Sequence, residues 1–119
     1  MDLVFIASPL NPKNQWKRSR DLYFAEQYAH HIHKMGQVLA LCPHSVLASF
    51  WNEFREGVLF EKALELVRRS DACFCVPGWL EDTNAKAQVF QAKALKVPTF
   101  ERLPELSDWL ALRKIEREG

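Results

Sequence analysis

Short apolar runs alternate along the chain with longer segments in which apolar residues recur at helical spacing. Leu3 to Ala7, Val38 to Cys42 and Ala72 to Val76 are continuous apolar runs, which are typical of strands covered on both faces. A shorter run, Val97 to Phe100, contains a proline and is therefore expected at a sheet edge. Strands that alternate with helices predict a parallel sheet with right-handed crossovers.

The segments between the strands each show one apolar face. Helices are predicted over Trp16 to Met35, over Val46 to Arg69 with Gly57 as a candidate break, from Thr83 to Leu95, and over Pro104 to Glu118. We therefore expect one domain over residues 1–119 with an α/β fold. With four strands, a flavodoxin-like or Rossmann-like three-layer sandwich in the order 2-1-3-4 is favoured.

That strand order has a consequence for function. Strands 1 and 3 become neighbours at the point where the strand order reverses, and a crevice opens at their carboxyl ends. We expect this crevice to be a ligand site lined by the loops after the two strands. The first loop supplies Ser8, Pro9, Leu10 and Asn11, the second supplies residues 77–83 including Gly78, Trp79 and Thr83, and His44 follows strand 2 one strand away.

Composition narrows the classes of function. Sixteen basic and fifteen acidic residues give a net charge of +1, which is not the basic footprint of a protein that binds duplex nucleic acid. No apolar run reaches the ~20 residues of a membrane span, and no signal peptide is recognised. Cys42, Cys73 and Cys75 are expected as buried, reduced thiols of a cytoplasmic protein. Neither a metal site nor a cofactor is predicted.

Two residues in and just after the loop that follows strand 3 could carry chemistry. Asp82 lies at the mouth of the helix and Gln88 lies about one and a half turns into it, near the crevice. A pair of carboxylates would suit acid/base or covalent glycosyl chemistry, but an amide can only form hydrogen bonds. The alternative is that Asp82 is a helix cap and Gln88 a partly exposed helical glutamine.

Other candidates also allow two interpretations. Trp79 could stack against a bound base or pack over the end of the sheet. His30 and His33 share a helical face, which we expect to be solvated rather than metal-binding. The basic stretch from Lys17 to Arg20 is expected to be solvated as well, although a bound anion would also explain basic residues at a helix start.

Several of these segments resemble those of the nucleoside 2-deoxyribosyltransferase-like superfamily, in particular its small bacterial and phage branches. The resemblance covers roughly residues 2 to 103 and is carried by three segments: Phe5 to Leu10, Pro43 to Ser45, and Ser70 to Gln88. It implies a flavodoxin-like sheet, a pocket for a nucleoside or its monophosphate, N-glycosidic chemistry, and a homodimer or larger assembly. It also implies that Ser8 and Asn84 belong to the pocket and that Asp82 contacts the sugar.

The same resemblance implies two departures from the chemistry of the family. The nucleophilic glutamate falls on Gln88, and a catalytic aspartate in the preceding helix falls near Ala63. An amide in place of the nucleophile favours a nucleoside- or nucleotide-binding protein with weak or no N-glycosidic chemistry. Two alternatives stay open: an active deoxyribosyltransferase or nucleoside hydrolase, and a non-catalytic protein-interaction module.

Overall fold

The computed structural model describes residues 1–9, 14–47 and 56–118. Its strands form a single parallel sheet made of β1 (Asp2–Ala7), β2 (Val38–Leu41), β3 (Ala72–Cys75) and β4 (Thr99–Phe100). The strands lie in the order β2-β1-β3-β4, which confirms the order expected from the sequence. The two-residue strand β4 lies at one edge, as its neighbouring proline predicted.

The helices flank this sheet and agree with the periodic segments of the sequence. They are α1 (Gln15–His33), α2 (Pro43–Leu47), α3 (Glu56–Arg68), α4 (Thr83–Ala94) and α5 (Leu103–Glu118). The second predicted helix differs in its start, because α2 begins directly after β2 with Pro43 as its first residue. Proline is favoured at the first position of a helix, because a backbone N–H there would have no intrahelical acceptor and proline loses nothing by lacking it. Part of this predicted helix, residues 48–55, lies outside the described residues.

Two apolar layers cover the faces of the sheet, because side chains along a strand point alternately to opposite faces. On β1, Val4 and Ile6 join the core under α1 and α5, whereas Phe5 and Ala7 join the core under α3 and α4. All four side chains are fully buried. The result is the three-layer, flavodoxin-like arrangement that the sequence predicted.

The thiols of β3 lie in the second of these cores. Cys73 and Cys75 are buried and form no disulfide, and the same holds for Cys42, which confirms the prediction of buried cysteines outside disulfides. A hydrogen bond to Cys75, together with burial, raises the pKa of the Cys73 thiol well above its ordinary value. Among the described residues, none of the helices could serve as a membrane span.

A charged cluster joins α5 to the amino end of the sheet. Asp2 is the first residue of β1, and its side chain is only 2% exposed. Arg113 donates to its Oδ1 from Nε and Nη2 at 3.2 and 2.7 Å, and Arg117 donates to the same oxygen. These bonds with Asp2 raise the pKa of the Arg113 guanidinium. Beside this cluster, Asp71 Oδ2 accepts from the Leu3 N–H at 2.7 Å.

Candidate functional site

The carboxyl ends of β1 and β3 lie side by side, as the predicted crevice requires. Ala7 pairs with Cys75, and the Val76 N–H donates to the Ala7 carbonyl at 3.1 Å. The chain then turns at Gly78, whose φ of +89° is a conformation that favours glycine. A short 3₁₀ turn over Trp79–Glu81 leads into α4.

Asp82 begins the helix α4 as its N-cap. Its Oδ1 accepts from the Ala85 N–H at 2.8 Å, which satisfies one of the free donors of the first turn. This is the capping role that the sequence allowed. The same residue also lines the crevice, so the capping and ligand-binding interpretations of Asp82 are compatible.

An inner cleft of about 280 Å³ lies at the ends of β1 and β3. Its walls combine two aromatic rings of α1 with apolar and proline residues from the two strand ends. The lining residues are Ser8, Pro9, Asp21, Phe24, Tyr28, Val76 and Pro77. Phe24 is 50% exposed, so part of its side chain is accessible to a ligand.

An outer cleft of about 410 Å³ shares one wall with the inner cleft and is more polar. It lies between the start of α1 and the turn that precedes α4. The lining residues are Pro9, Lys17, Arg20, Asp21, Phe24, Pro77, Gly78, Glu81 and Asp82. The two clefts together are called the crevice below, and each is close to the size of a small-molecule site.

Asp21 lies where the two clefts meet. Its side chain is 11% exposed, and its Oδ1 is 3.6 Å from Arg20 Nη2. Burial raises the pKa of the Asp21 carboxyl, and the negative charge of Asp82 raises it further, although Arg20 acts in the opposite direction. The carboxyl groups of Asp21 and Asp82 are therefore close enough for the charge of one to affect the pKa of the other.

Ser8 and Gln88 connect the floor of the inner cleft to α4. Gln88 is fully buried, and its Oε1 accepts from the Ser8 N–H at 3.1 Å. The expectation of a partly exposed glutamine is therefore wrong, because this side chain turns into the protein. Ser8 Oγ and Gln88 Nε2 are both buried and have no hydrogen-bond partner among the described residues.

Trp79 packs over the end of the sheet rather than along the crevice. It is 7% exposed within the core under α4, and its Nε1 donates to Glu101 Oε1 at 2.8 Å. Lys93 Nζ lies 5.7 Å from the centre of its ring. Trp79 does line a shallow surface cleft beside Leu80 and Glu101, but not the crevice.

The remaining candidate residues whose side chains the structure describes do not line the crevice. Thr83 is exposed and Asn84 half-buried in the first turn of α4, and neither lines the two clefts. His44 belongs to α2, which follows β2, instead of the turn expected there. Leu10 and Asn11 lie outside the described residues.

The histidines of α1 face solvent. His30 and His33 are exposed, as the sequence predicted, and His31 is exposed as well. His33 has a structural role in addition, since its Nε2 accepts from the Ala40 N–H of β2 at 2.8 Å. Within residues 1–9, 14–47 and 56–118, no three His, Cys, Asp or Glu side chains come together as a metal-ion site.

Sequence reasoning missed the contribution of α1 to the crevice. Asp21, Phe24 and Tyr28 all line it, and the sequence analysis assigned none of them to a site. Their spacing of three and four residues places them on one helical face, beside the buried stripe that includes Ala25 and Ile32. The sequence signal for this part of the crevice was a row of polar and aromatic residues next to the buried stripe of α1, the helix that follows β1.

Comparison with known proteins adds no relative: no protein-family model, curated protein or solved structure matches this chain. Inferences about function therefore depend on the geometry of the crevice.

Proposed function

We propose that the crevice binds an uncharged nucleoside, such as a 2′-deoxynucleoside, and leaves its N-glycosidic bond intact. The observation that carries the proposal is the combination of a half-exposed aromatic ring, Phe24, with the carboxyl groups of Asp21 and Asp82 in one crevice. This crevice lies at the reversal of strand order, where open α/β sheets bind ligands.

The two clefts suit the two halves of a nucleoside. The inner cleft offers Phe24 and Tyr28, and aromatic rings bind nucleobases by stacking, whatever the base. The outer cleft offers the carboxyl groups of Asp21, Glu81 and Asp82, which accept hydrogen bonds from sugar hydroxyls. We therefore place the base in the inner cleft and the sugar in the outer cleft.

The charges of the outer cleft favour a ligand without a phosphate. Three carboxyl groups line it against two cations, Lys17 and Arg20. The formal surplus is therefore one negative charge, and burial is the main cause of the raised pKa of Asp21, to which the charge of Asp82 also contributes. A 5′-phosphate would enter this surplus and be repelled, whereas a 5′-hydroxyl can donate to a carboxylate.

The chemistry of Gln88 supports binding without bond cleavage. A side-chain amide is neither a nucleophile nor a base at neutral pH. The amide oxygen is already engaged by the Ser8 N–H, and Gln88 lines neither of the two clefts. We expect no release of free base from a bound nucleoside.

Isothermal titration calorimetry with 2′-deoxynucleosides, their 5′-monophosphates and ADP-ribose tests the proposal. Binding of the nucleosides, with weaker binding of the monophosphates, is the expected result. Chromatography of the same mixtures then checks for released base. Base release by the wild-type protein would overturn the non-catalytic assignment, and failure of all nucleosides to bind would overturn the site.

A matched pair of variants locates the binding. Phe24→Ala removes a stacking surface worth about 1–3 kcal/mol, so we expect nucleoside affinity to fall by about 5- to 150-fold. Phe90→Ala is the control, because Phe90 is 55% exposed on α4 and does not line the crevice. Equal effects of the two substitutions would place the ligand elsewhere.

A further inference from the structure

A third cleft continues the crevice along α1. It has a volume of about 370 Å³ and lies between the second half of α1 and the start of α5. The lining residues are Phe24, Gln27, Tyr28, His31 and Leu103. Phe24 and Tyr28 also line the inner cleft, so their rings form a wall that the inner and third clefts share. The inner and outer clefts account for the proposed nucleoside, and the third cleft offers room for a group attached to it.

The two rings of the shared wall are positioned by other aromatic side chains. Tyr23 meets Phe24 edge-on, with 5.6 Å between the ring centres and 69° between their planes. The centre of the Tyr28 ring lies 5.2 Å from that of the buried Phe74 on β3. Phe24 is nonetheless 50% exposed and Tyr28 is half-buried, so both keep accessible surface. A wall that borders two clefts can contact one base on each side.

The third cleft differs from the outer cleft in its charge. The carboxyl groups of Asp21, Glu81 and Asp82 line the outer cleft, whereas none of the described residues brings a carboxyl group to the third cleft. The polar groups of the third cleft are the exposed amide of Gln27 and the exposed imidazole of His31, and both can donate hydrogen bonds. A phosphate group is therefore disfavoured in the outer cleft and accepted at the third.

Polar donors flank Phe24 on both sides along the helix. Arg20, Phe24, Gln27 and His31 follow one another at spacings of four, three and four residues, which places them in one row on α1. The Arg20 side chain is 47% exposed, although its Nη2 also lies 3.6 Å from Asp21 Oδ1. A phosphodiester that passes the edge of Phe24 therefore meets donors before and after the ring.

We propose that the third cleft is a second base subsite, so that the ligand is a short single strand of nucleic acid with a free 5′-hydroxyl. This inference rests on the proposed nucleoside-binding function. The first nucleoside occupies the crevice, its 3′-phosphodiester passes the edge of Phe24, and the second base enters the third cleft. Stacking on aromatic rings tolerates any base. Extension through the 5′-oxygen would instead place a phosphate among the carboxyl groups of the outer cleft.

Three ligands test the inference by calorimetry: thymidine, the dinucleotide TpT in which two thymidines share a 3′,5′-phosphodiester, and TpT with a 5′-phosphate. We expect TpT to bind about fivefold or more tightly than thymidine, the lower end of the effect of one stacked base. The 5′-phosphate should weaken the binding of TpT. In the NMR spectrum, the methyl signals of Leu103 should shift with TpT but not with thymidine, because Leu103 lines the third cleft alone.

A charge-matched pair of variants locates the second nucleotide. His31→Glu places a carboxylate in the third cleft and should remove the advantage of TpT over thymidine. His30→Glu is the control, because His30 is exposed on the same helix and lines none of the three clefts, and this variant should retain the advantage. Salt at about 150 mM screens the more distant charge of the control. Thermal melting confirms that both variants are folded.

The outcomes separate this inference from the proposed function. If thymidine binds and TpT binds no more tightly, the crevice is a nucleoside site and the second subsite is wrong. An advantage of TpT that survives His31→Glu in a folded variant would also overturn it, as would Leu103 methyl signals that do not respond to TpT. Tighter binding of the 5′-phosphorylated dinucleotide would refute the free 5′-hydroxyl. If neither thymidine nor TpT binds, both proposals fall.

Discussion

The two ends of the sheet bury polar groups in opposite ways. At the amino end, Asp2 is 2% exposed and receives hydrogen bonds from Arg113 and Arg117. At the carboxyl end, Ser8 and Gln88 are equally buried, yet each keeps a polar atom without a partner among the described residues. Burial of a polar group therefore does not by itself mark a site, whereas an unmet hydrogen-bonding group beside a cleft does.

Cleft size alone does not distinguish the two ends. The amino end has a cleft of about 340 Å³, which lies between the volumes of the inner cleft, about 280 Å³, and the outer cleft, about 410 Å³. Its lining includes Asp2, Lys114 and Arg117, but the Asp2 carboxylate is already neutralised by the arginines of α5. We therefore interpret the amino end as a structural junction and the carboxyl end as the ligand site.

The largest effect is expected from breaking the amino-end cluster. Asp2→Ala leaves Arg113 and Arg117 without their shared acceptor and removes a buried charge partner. We expect a loss of about 3 kcal/mol in the free energy of unfolding, the lower end of the range for buried ion pairs because both arginines are partly exposed. Urea denaturation measures this loss. Asp108→Ala, at an exposed position of α5, is the control, and equal stability of the two variants would contradict a structural role for the cluster.

A smaller loss is expected at the carboxyl end from Gln88→Leu. The substitution leaves the buried Ser8 N–H without its acceptor, but it also removes the amide nitrogen that has no described partner. These effects partly cancel, and we expect a net loss of about 1 kcal/mol by urea denaturation. Gln91→Leu on the same helix is the control. A loss as large as that of Asp2→Ala would mean that the contact between Ser8 and Gln88 is a structural junction as well.

Asp21→Asn tests the electrostatics of the crevice. Burial, with a contribution from Asp82, raises the pKa of Asp21 in the folded protein. The folded state therefore binds a proton more readily than the unfolded state, so stability falls as pH rises from the unfolded to the folded pKa of this group. The asparagine variant avoids this loss, and we expect it to be more stable by about 0.5 kcal/mol at pH 7. Below the ordinary pKa of an aspartate this advantage should disappear. An advantage that grows in acid would contradict a raised pKa for Asp21.

The smallest effect on stability is expected from Ser8→Ala. Ser8 Oγ has no described partner, so its removal should change the free energy of unfolding by less than about 0.5 kcal/mol. Ser70→Ala is a matched control at the opposite end of the sheet, just before β3. Ser70 is also buried, but its Oγ donates to the Leu66 carbonyl at 2.7 Å. We expect that control to lose about 1 kcal/mol in chemical denaturation. Similar losses in both variants would show that the Ser8 hydroxyl is satisfied in the ligand-free protein.

The fold could be predicted from the sequence because its signals are local. Continuous apolar runs such as Ala72–Cys75 and periodic stripes such as Ala85, Val89 and Ala92 specify buried strands and one-sided helices. The strand order then followed from the general preference of four-stranded parallel sheets. The early start of α2 was missed, because Pro43 ends a strand and begins a helix equally well.

The site could be predicted only in part, because side-chain direction depends on packing between elements. Ser8 and Gly78 follow from topology, since any parallel sheet of this order brings the ends of β1 and β3 together. The inward turn of Gln88 depends on how α4 packs against β1, and the sequence favoured an exposed position. The role of Phe24 likewise depends on the angle at which α1 crosses the sheet, which no spacing along the chain specifies.

The hydrogen bond between His33 and Ala40 has a consequence for association between molecules. β2 is an edge strand, and Leu39 on it is 46% exposed, a combination that invites pairing with a strand of another molecule. The imidazole of His33 occupies the Ala40 N–H that such a strand would need. An incoming strand must first displace this side chain, so the helix that contributes aromatic rings to the crevice also protects the sheet against edge-to-edge aggregation.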